Sequence, residues 1–390
     1  MKNFTYYAPT KVLFGRGVET DIGAELKALG AKRILVHFGG GSCMKSGLLA
    51  KVTDSLKAAG LEWIELGGVG ANPRLDMVRR GTELARAEHI DFVLAIGGGS
   101  VIDSSKAIAV AVAGGGDFWE YIEGKPVEKC LPLGVVLTIA AAGSEMSNSC
   151  VITDTDRHLK RSIGTNAVRP KVAFMNPENT FSVNAWQTAC GAVDIMMHTL
   201  ERYFTGDGNT EITDRMAEGL LLAVLDAAPR ALKDPCDYDA RATLMWASSL
   251  SHNDLTGCGR SRYFPAHKLE HDFSGFDERV SHGAGLAVLF PAWAKYVYKY
   301  DVSRFAQFAV RVMGCEMDFV DPARTAREGI DRLVAFFRSL GMPTTLPELG
   351  IAPADYETVI ALTTANGTKK LKSYIDLGAE EIREIYKLAE

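Results

Sequence analysis

Asp194 and His198 lie four residues apart in the apolar run Gly191-Ala192-Val193-Asp194-Ile195-Met196-Met197-His198. That spacing predicts a helix with both side chains one turn apart on one face, close enough to share a ligand. His267 and His271 repeat it in Pro265-Ala266-His267-Lys268-Leu269-Glu270-His271, and His282 opens a further apolar run at Ser281-His282-Gly283. Five of the eight histidines fall between 198 and 282. One carboxylate with several imidazoles, and no cysteine among them, suits a borderline divalent ion such as Fe, Zn, Mn or Co. A solitary histidine is more often a hydrogen-bonded structural residue than a ligand, so the pairing carries the argument. His89, His158 and His252 have no partner at helical spacing and are read as structural; His37 has none either, and is read as structural or as lying beside the adenosine end of a bound cofactor.

A second set of residues suits phosphate binding. Gly97-Gly98-Gly99-Ser100 separates a predicted strand at 92–96 from a helix starting near Val101. Glycines let a phosphate approach the backbone, and the helix start supplies free N–H groups and a positive dipole end. Gly39-Gly40-Gly41-Ser42 follows a predicted strand at 33–38, and Ala140-Ala141-Ala142-Gly143-Ser144-Glu145 follows one at 133–137. Two such turns on one sheet suggest a long phosphate-bearing ligand across neighbouring strand ends. Neither is the GxGxxG fingerprint, and tight βα turns alone are the competing explanation. No acid stands near the end of strand 33–38 to meet a ribose 2′-hydroxyl. Small residues there leave room for a 2′-phosphate, with Ser42 and Lys45 to bind it, so NADP(H) is expected over NAD(H).

These residues must be positioned by two kinds of architecture. From residue 33 to 137, continuous apolar strands alternate with helical patterns at 46–59, 74–88 and 100–113, which predicts a parallel sheet covered by helices on both faces. Before it, Phe4-Thr5-Tyr6-Tyr7 and Lys11-Val12-Leu13-Phe14 read as two short strands around a turn, able to pair with another copy of the chain. After about residue 180 strand-like runs disappear and helical periodicity takes over. The expectation is an α/β nucleotide-binding domain, Rossmann-like with a parallel sheet, over 1–182 and an all-helical metal-binding domain over 183–390.

The 390-residue length fits two domains. Apolar content of 47%, charged content of 23% and a net charge of −5 without long single-sign runs argue against a nucleic-acid or membrane-surface protein. No apolar run approaches the ~18 residues of a membrane span. Seven cysteines without a CxxC pair fit reduced thiols in a cytosol. The N-terminal MKNFTYYAPTK lacks an apolar signal core, and a cytoplasmic location is expected.

Taken together, residues Gly97 to Lys106, Thr138 to Glu145, Asp194 with His198, and His267-xxx-His271 through His282-Gly283 resemble the iron-containing (group III) alcohol dehydrogenases. Within them the chain is most similar to the NADPH-dependent butanol dehydrogenase and aldehyde reductase branch. The resemblance implies a dehydroquinate-synthase-like fold, with the active site in the cleft between the two domains. It places Asp194, His198, His267 and His282 on the metal-ligand positions and His271 near the nicotinamide, where it relays a proton or packs. Gly97, Gly98, Gly99, Ser100 and Asp103 match the pyrophosphate loop, and Thr138 and Ser144 match cofactor contacts. Lys160 matches a lysine reaching the nicotinamide ribose, and Gly39, Gly40 and Ser42 the NADP-type adenosine ribose site. A homodimer through the N-terminal strands, with iron or zinc as the metal, is implied. So is hydride transfer between NADP(H) and primary alcohols or aldehydes, butanol-like. A polyol dehydrogenase using NAD, or a lyase of the dehydroquinate-synthase type, is the alternative. The chain departs from the family pattern at Ala142, often Thr, and at Asn176-Pro177, usually Asp-Pro.

Overall fold

Strands at 33–39, 92–97 and 133–137 lack polar alternation because both of their faces are covered. In the computed structural model, which describes residues 1–390, the first part of the chain runs β1 (Lys11–Phe14), α1 (Ile22–Ala28), β2 (Arg33–Gly39), α2 (Ser42–Lys45), α3 (Leu48–Ala58), β3 (Glu62–Val69), α4 (Leu75–Ala87), β4 (Phe92–Gly97), α5 (Gly99–Gly114), α6 (Phe118–Ile122), β5 (Leu133–Leu137), β6 (Ser149–Asp154), β7 (Leu159–Gly164) and β8 (Val172–Met175). Six strands form one parallel sheet in the order β1-β8-β5-β4-β2-β3. Ile34, Val36, Phe92, Leu94 and Ile96 pack on one face against Ile22, Leu26, Val52 and Leu56. Val93, Ala95, Val135 and Leu137 pack on the other against Val101, Ile102 and Ala109. The period-2 strand geometry thus divides each apolar run between two helical layers.

The order matters for function. β2, β4 and β5 are neighbours and parallel, so the turns leaving Gly39, Gly97 and Leu137 line one edge of the sheet side by side. From β2 the chain goes to β3 on one side, and then to β4 on the other. The crevice outside these strand ends is a topological switch point, where open α/β sheets bind ligands.

The chain continues with α7 (Ala185–Tyr203), α8 (Glu211–Lys233), α9 (Tyr238–His252), α10 (Pro265–Phe276), α11 (His282–Val297), α12 (Val302–Arg311), α13 (Pro322–Ser339), α14 (Tyr356–Thr364) and α15 (Ala379–Lys387). Asn184 caps α7 by accepting from the Gln187 N–H, and Pro265 starts α10, where a missing N–H costs nothing. No helix is long and apolar enough to cross a membrane.

Two features of the strands differ from the sequence reading. The expected strand at Phe4–Tyr7 is absent: only β1 forms, and it pairs in parallel with β8 rather than in a hairpin. The arm before it is held instead by Lys2, which bonds through its backbone N–H to the Gly259 carbonyl and through Nζ to Asp207. The antiparallel hairpin β6–β7 and the four-residue β8 are additional strands. The chain folds into two compact units. Residues 7–183 with 235–253 form one, and residues 1–6, 184–234 and 254–390 the other. Helix α9 joins the α/β unit because Ser248 Oγ bonds the Ala141 and Gly143 amides and the Ala141 carbonyl at 3.1–3.2 Å. Ser249 Oγ adds a bond to Glu145 at 2.5 Å.

Candidate metal centre and cofactor turns

Helix α7 is buried on every side from Gly191 to Tyr203, so its polar residues had to find partners inside the helical unit. Asp194, His198 and Glu201, at i, i+4 and i+7, share one face. Asp194 Oδ1 is buried with no hydrogen-bond donor, and three imidazole nitrogens surround it. His198 Nδ1 stands 3.0 Å away, and His267 Nε2 from α10 and His282 Nε2 from α11 each 3.6 Å. The donor atoms of Asp194, His267 and His282 all lie within 4.8 Å of one another. His198 stands beside this trio: its Nδ1 is also 3.0 Å from the Asp194 carbonyl, and its ring is centred 4.4 Å from that of His267.

Charge within the cluster is strongly shaped. Burial works against ionisation of Asp194, yet His198 and His282 hold its carboxyl well below the usual range. Burial lowers His198 to about 4 and leaves it neutral, despite the pull of Asp194. Burial also opposes a charge on His267, but Glu201 and Asp194 override it and raise the imidazole to about 9. One buried carboxylate oxygen, Asp194 Oδ1, and one buried ring nitrogen, His267 Nε2, each without a hydrogen-bond partner, are what a divalent cation would complete. Donor set and geometry fit such an ion.

Two residues of this centre escaped the motif reading. Glu201 accepts from His267 Nδ1, and Glu270 accepts from His282 Nδ1. The signal in the sequence was spacing: Glu201 stands seven residues after Asp194 and Glu270 three after His267, each on the helical face of a candidate ligand. His271 is half-buried, its ring 5.3 Å from that of His282 and 6.2 Å from that of His267. Phe264 meets His267 edge-on at 5.4 Å, under the Arg202 guanidinium. The nearby cations are committed elsewhere. Arg260 pairs with Asp214 at 2.5 Å, Arg262 with Asp254 at 3.3 Å and Lys268 with Asp272 at 3.1 Å.

In the α/β unit, Gly98 and Ser100 frame the start of α5 and are half-buried. A Cβ on Gly98 would meet Ile139 Cγ2 at 1.9 Å, one on Gly97 would meet Val101 at 2.4 Å, and one on Gly99 would meet Ala142 at 3.1 Å. Gly98 is therefore required by the turn after β5, which also crowds Gly99, and Gly97 is required by Val101 in the first turn of α5; Thr138 in the turn after β5 donates its N–H to the Gly97 carbonyl at 3.2 Å. Gly40 is different. Nothing lies within 4 Å of a Cβ placed there, and Gly39 has only ordinary contacts, so no protein neighbour excludes a side chain at either. Ser42 and Lys45 are exposed beside them.

Asp103 and Ser144, expected as cofactor contacts, are committed to each other. Ser144 Oγ donates to Asp103 Oδ1 at 2.5 Å, and Asp103 Oδ2 accepts from the Val151 N–H at 2.9 Å. Lys106, fully buried one turn along α5, donates to the carbonyls of Ser144, Ser147 and Ser149 and the hydroxyls of Ser144 and Ser147 at 2.8–3.2 Å. Asp103 and Lys106 thus staple the 144–151 segment to the helix whose first turn faces the expected phosphate. Lys160, on β7, is buried and donates to Asn72 Oδ1 at 3.1 Å.

The chain matches the family profile described as iron-containing alcohol dehydrogenase over residues 9–177 and the C-terminal profile of the same family over 188–389. It is 38% identical over 389 residues to NADH-dependent butanol dehydrogenase A of Clostridium acetobutylicum, covering 99% of both chains. It is 33% identical to the NADPH-dependent aldehyde reductase YqhD of Escherichia coli, over 100% of both. A crystal structure of NADH-dependent butanol dehydrogenase A from Thermotoga maritima superposes with a TM-score of 0.96 at 37% identity, covering 100% of this chain and 99% of that one. The chain belongs to the iron-containing alcohol dehydrogenase family, and with it to the alcohol dehydrogenase class of oxidoreductases.

Proposed function

We propose that the protein is a metal-dependent, NADP(H)-linked alcohol dehydrogenase that reduces aldehydes to primary alcohols of butanol-like size. The observation that carries the reading is the partnerless Asp194 Oδ1 with three imidazole nitrogens at 3.0–3.6 Å. Asp194, His267 and His282 would hold the metal, with His198 as the fourth ligand. When bound, the metal polarises the substrate oxygen as a Lewis acid, and the nicotinamide carries the hydride. The protein's part is to orient. The first turn of α5 offers N–H groups and a dipole end to the pyrophosphate, and the edge formed by the turns after β2, β4 and β5 gives the dinucleotide its course. Iron is the metal the family name points to; at a nitrogen and oxygen site of equal geometry zinc would bind more tightly. All seven cysteines are free thiols, which supports a reducing, cytoplasmic setting.

The preference for NADP(H) rests on the open space at Gly39 and Gly40 and on Ser42 and Lys45 beside it. The relatives' names point both ways, to NADH and to NADPH. Anaerobic turnover of butanal by Fe(II)-reconstituted protein, followed with each cofactor, decides the matter. Rapid loss of NADPH with slow loss of NADH is expected. Equal rates would keep the reaction and remove the preference, and no turnover with metal and cofactor bound would move the substrate to a polyol. A dehydroquinate-synthase-type lyase is disfavoured because Arg260, Arg262 and Lys268 are all paired with carboxylates instead of converging on Asp194.

His271 is assigned to the proton relay on the strength of its half-buried ring beside His282. His271→Ala is expected to lower turnover about 10- to 100-fold and to shift its pH profile, within the usual range for one acid–base group. An unchanged rate and profile would assign it to packing.

A further inference from the structure

The two carboxylates behind the imidazoles point beyond the ligand set. We propose that Glu201 and Glu270 are positioning residues, which determine the nitrogen that His267 and His282 present to the metal and the strength with which it is held. The inference rests on the metal reading above and concerns residues that would not touch the ion.

Glu201 is fully buried on α7. Its Oε1 accepts from the Ala266 N–H at 2.6 Å, and its Oε2 accepts from the His267 N–H at 3.2 Å and from the His267 ring Nδ1. One side chain therefore satisfies two free amides in the first turn of α10 and orients the imidazole that projects from it. Glu270, also fully buried and one turn along α10, takes the Nδ1 of His282 at the start of α11. Gly285 lets it lie there: a Cβ at that position would meet Glu270 Cγ at 2.7 Å.

The consequence is chemical. Metal binding displaces any proton on Nε2, and with each Nδ1 committed as the donor the lone pair of each ring is then presented from Nε2. The two Nε2 atoms then stand at the same 3.6 Å from Asp194 Oδ1. A carboxylate behind an imidazole also makes its far nitrogen a stronger ligand. This pairing is not the general fate of buried acids in the same unit. Asp214 is neutralised by two guanidiniums, Arg260 at 2.5 Å and Arg304 at 2.6 Å. Glu201 and Glu270, by contrast, each meet the ring of a candidate ligand on the side away from Asp194.

The test uses the full-length protein stripped of metal, with Co(II) as the probe. Binding is measured by competition with a chromophoric chelator, and the ligand field by the visible Co(II) band. Glu270→Gln is expected to weaken Co(II) binding about 10- to 100-fold and to shift the band, with NADPH binding unchanged. Glu201→Gln is expected to do the same and also to destabilise the metal-free protein through the α10 amides. Should the Gln variant of Glu270 fail to fold, Glu270→Asp carries the test. It keeps the charge at shorter reach, and a smaller loss of the same kind is expected. Wild-type affinity and an unshifted band in the folded variants would overturn the proposal. Failure of the wild-type chain to bind Co(II) would instead overturn the metal reading on which it stands.

Discussion

At the scale of single residues, local chemistry explains two departures from expectation and makes one pH prediction. Asn176, where the family usually has Asp, donates from Nδ2 to the buried Glu19 carboxylate at 3.1 Å, and Asn179 donates to it at 2.7 Å. An aspartate at 176 would face a second buried acid, so the amide is the residue this environment needs. Ala142 packs against Gly99, in a turn already held by Ser248. His37 bridges strands and helix: Nδ1 to the Leu66 carbonyl at 2.7 Å and Nε2 to Ser104 Oγ at 2.9 Å. Burial lowers it to about 4 against an ordinary 6.5, so it is neutral when folded and takes up a proton first in the unfolded chain. Stability from this group is complete above pH 6.5 and is lost as pH falls from 6.5 to 4, by at most ~3 kcal/mol. Urea unfolding at several pH values should show His37→Gln with a flatter pH dependence in that window than wild type. Parallel curves would mean that His37 does not carry the slope.

At the scale of elements, α5 is anchored through its second turn: Asp103 and Lys106 hold the 144–151 segment, while Gly99 and Ser100 at its start stay half-buried. Lys106 has no exposed surface, and its ammonium is satisfied by oxygens alone. Lys106→Met would strand three backbone carbonyls and two hydroxyls in the interior. A loss of about 3–5 kcal/mol is expected, the usual cost of breaking a buried charged network. NADPH binding, read by fluorescence titration of whatever fraction stays folded, should weaken while Co(II) affinity is kept. A variant that binds NADPH like wild type would show the clamp to be independent of the cofactor edge. The missed strands belong to this scale too. β8 is four residues long and β6–β7 carries polar residues on its outer positions, so neither has the long continuous run that marked the other strands.

At the scale of the whole molecule, β1 lies at one edge of the sheet with its outer side unpaired. Phe4, Tyr6 and Tyr7 before it are 43–52% exposed. We propose that a second copy covers this edge, since an exposed strand edge with apolar neighbours is a template for pairing. Light scattering should give a dimer for the native chain and a monomer for a Phe4→Glu, Tyr6→Glu double variant. An unchanged mass would place any dimer contact elsewhere.

What the sequence determined by itself is whatever depends on near neighbours along the chain. The period of apolar residues specified strands and helices and hence the α/β and all-helical parts. The four-residue spacing brought Asp194 beside His198, and strand–glycine–helix order marked the turns. Tertiary structure alone decided how distant segments combine. It converged α7, α10 and α11 on one carboxylate oxygen and set Glu201 and Glu270 behind two of the rings. It committed Asp103 and Ser144 to each other, and it gave α9 to the α/β unit. Each of these is settled by contacts between residues from 12 to 107 positions apart, where burial favours a partner for each polar atom and no local periodicity records which one it takes.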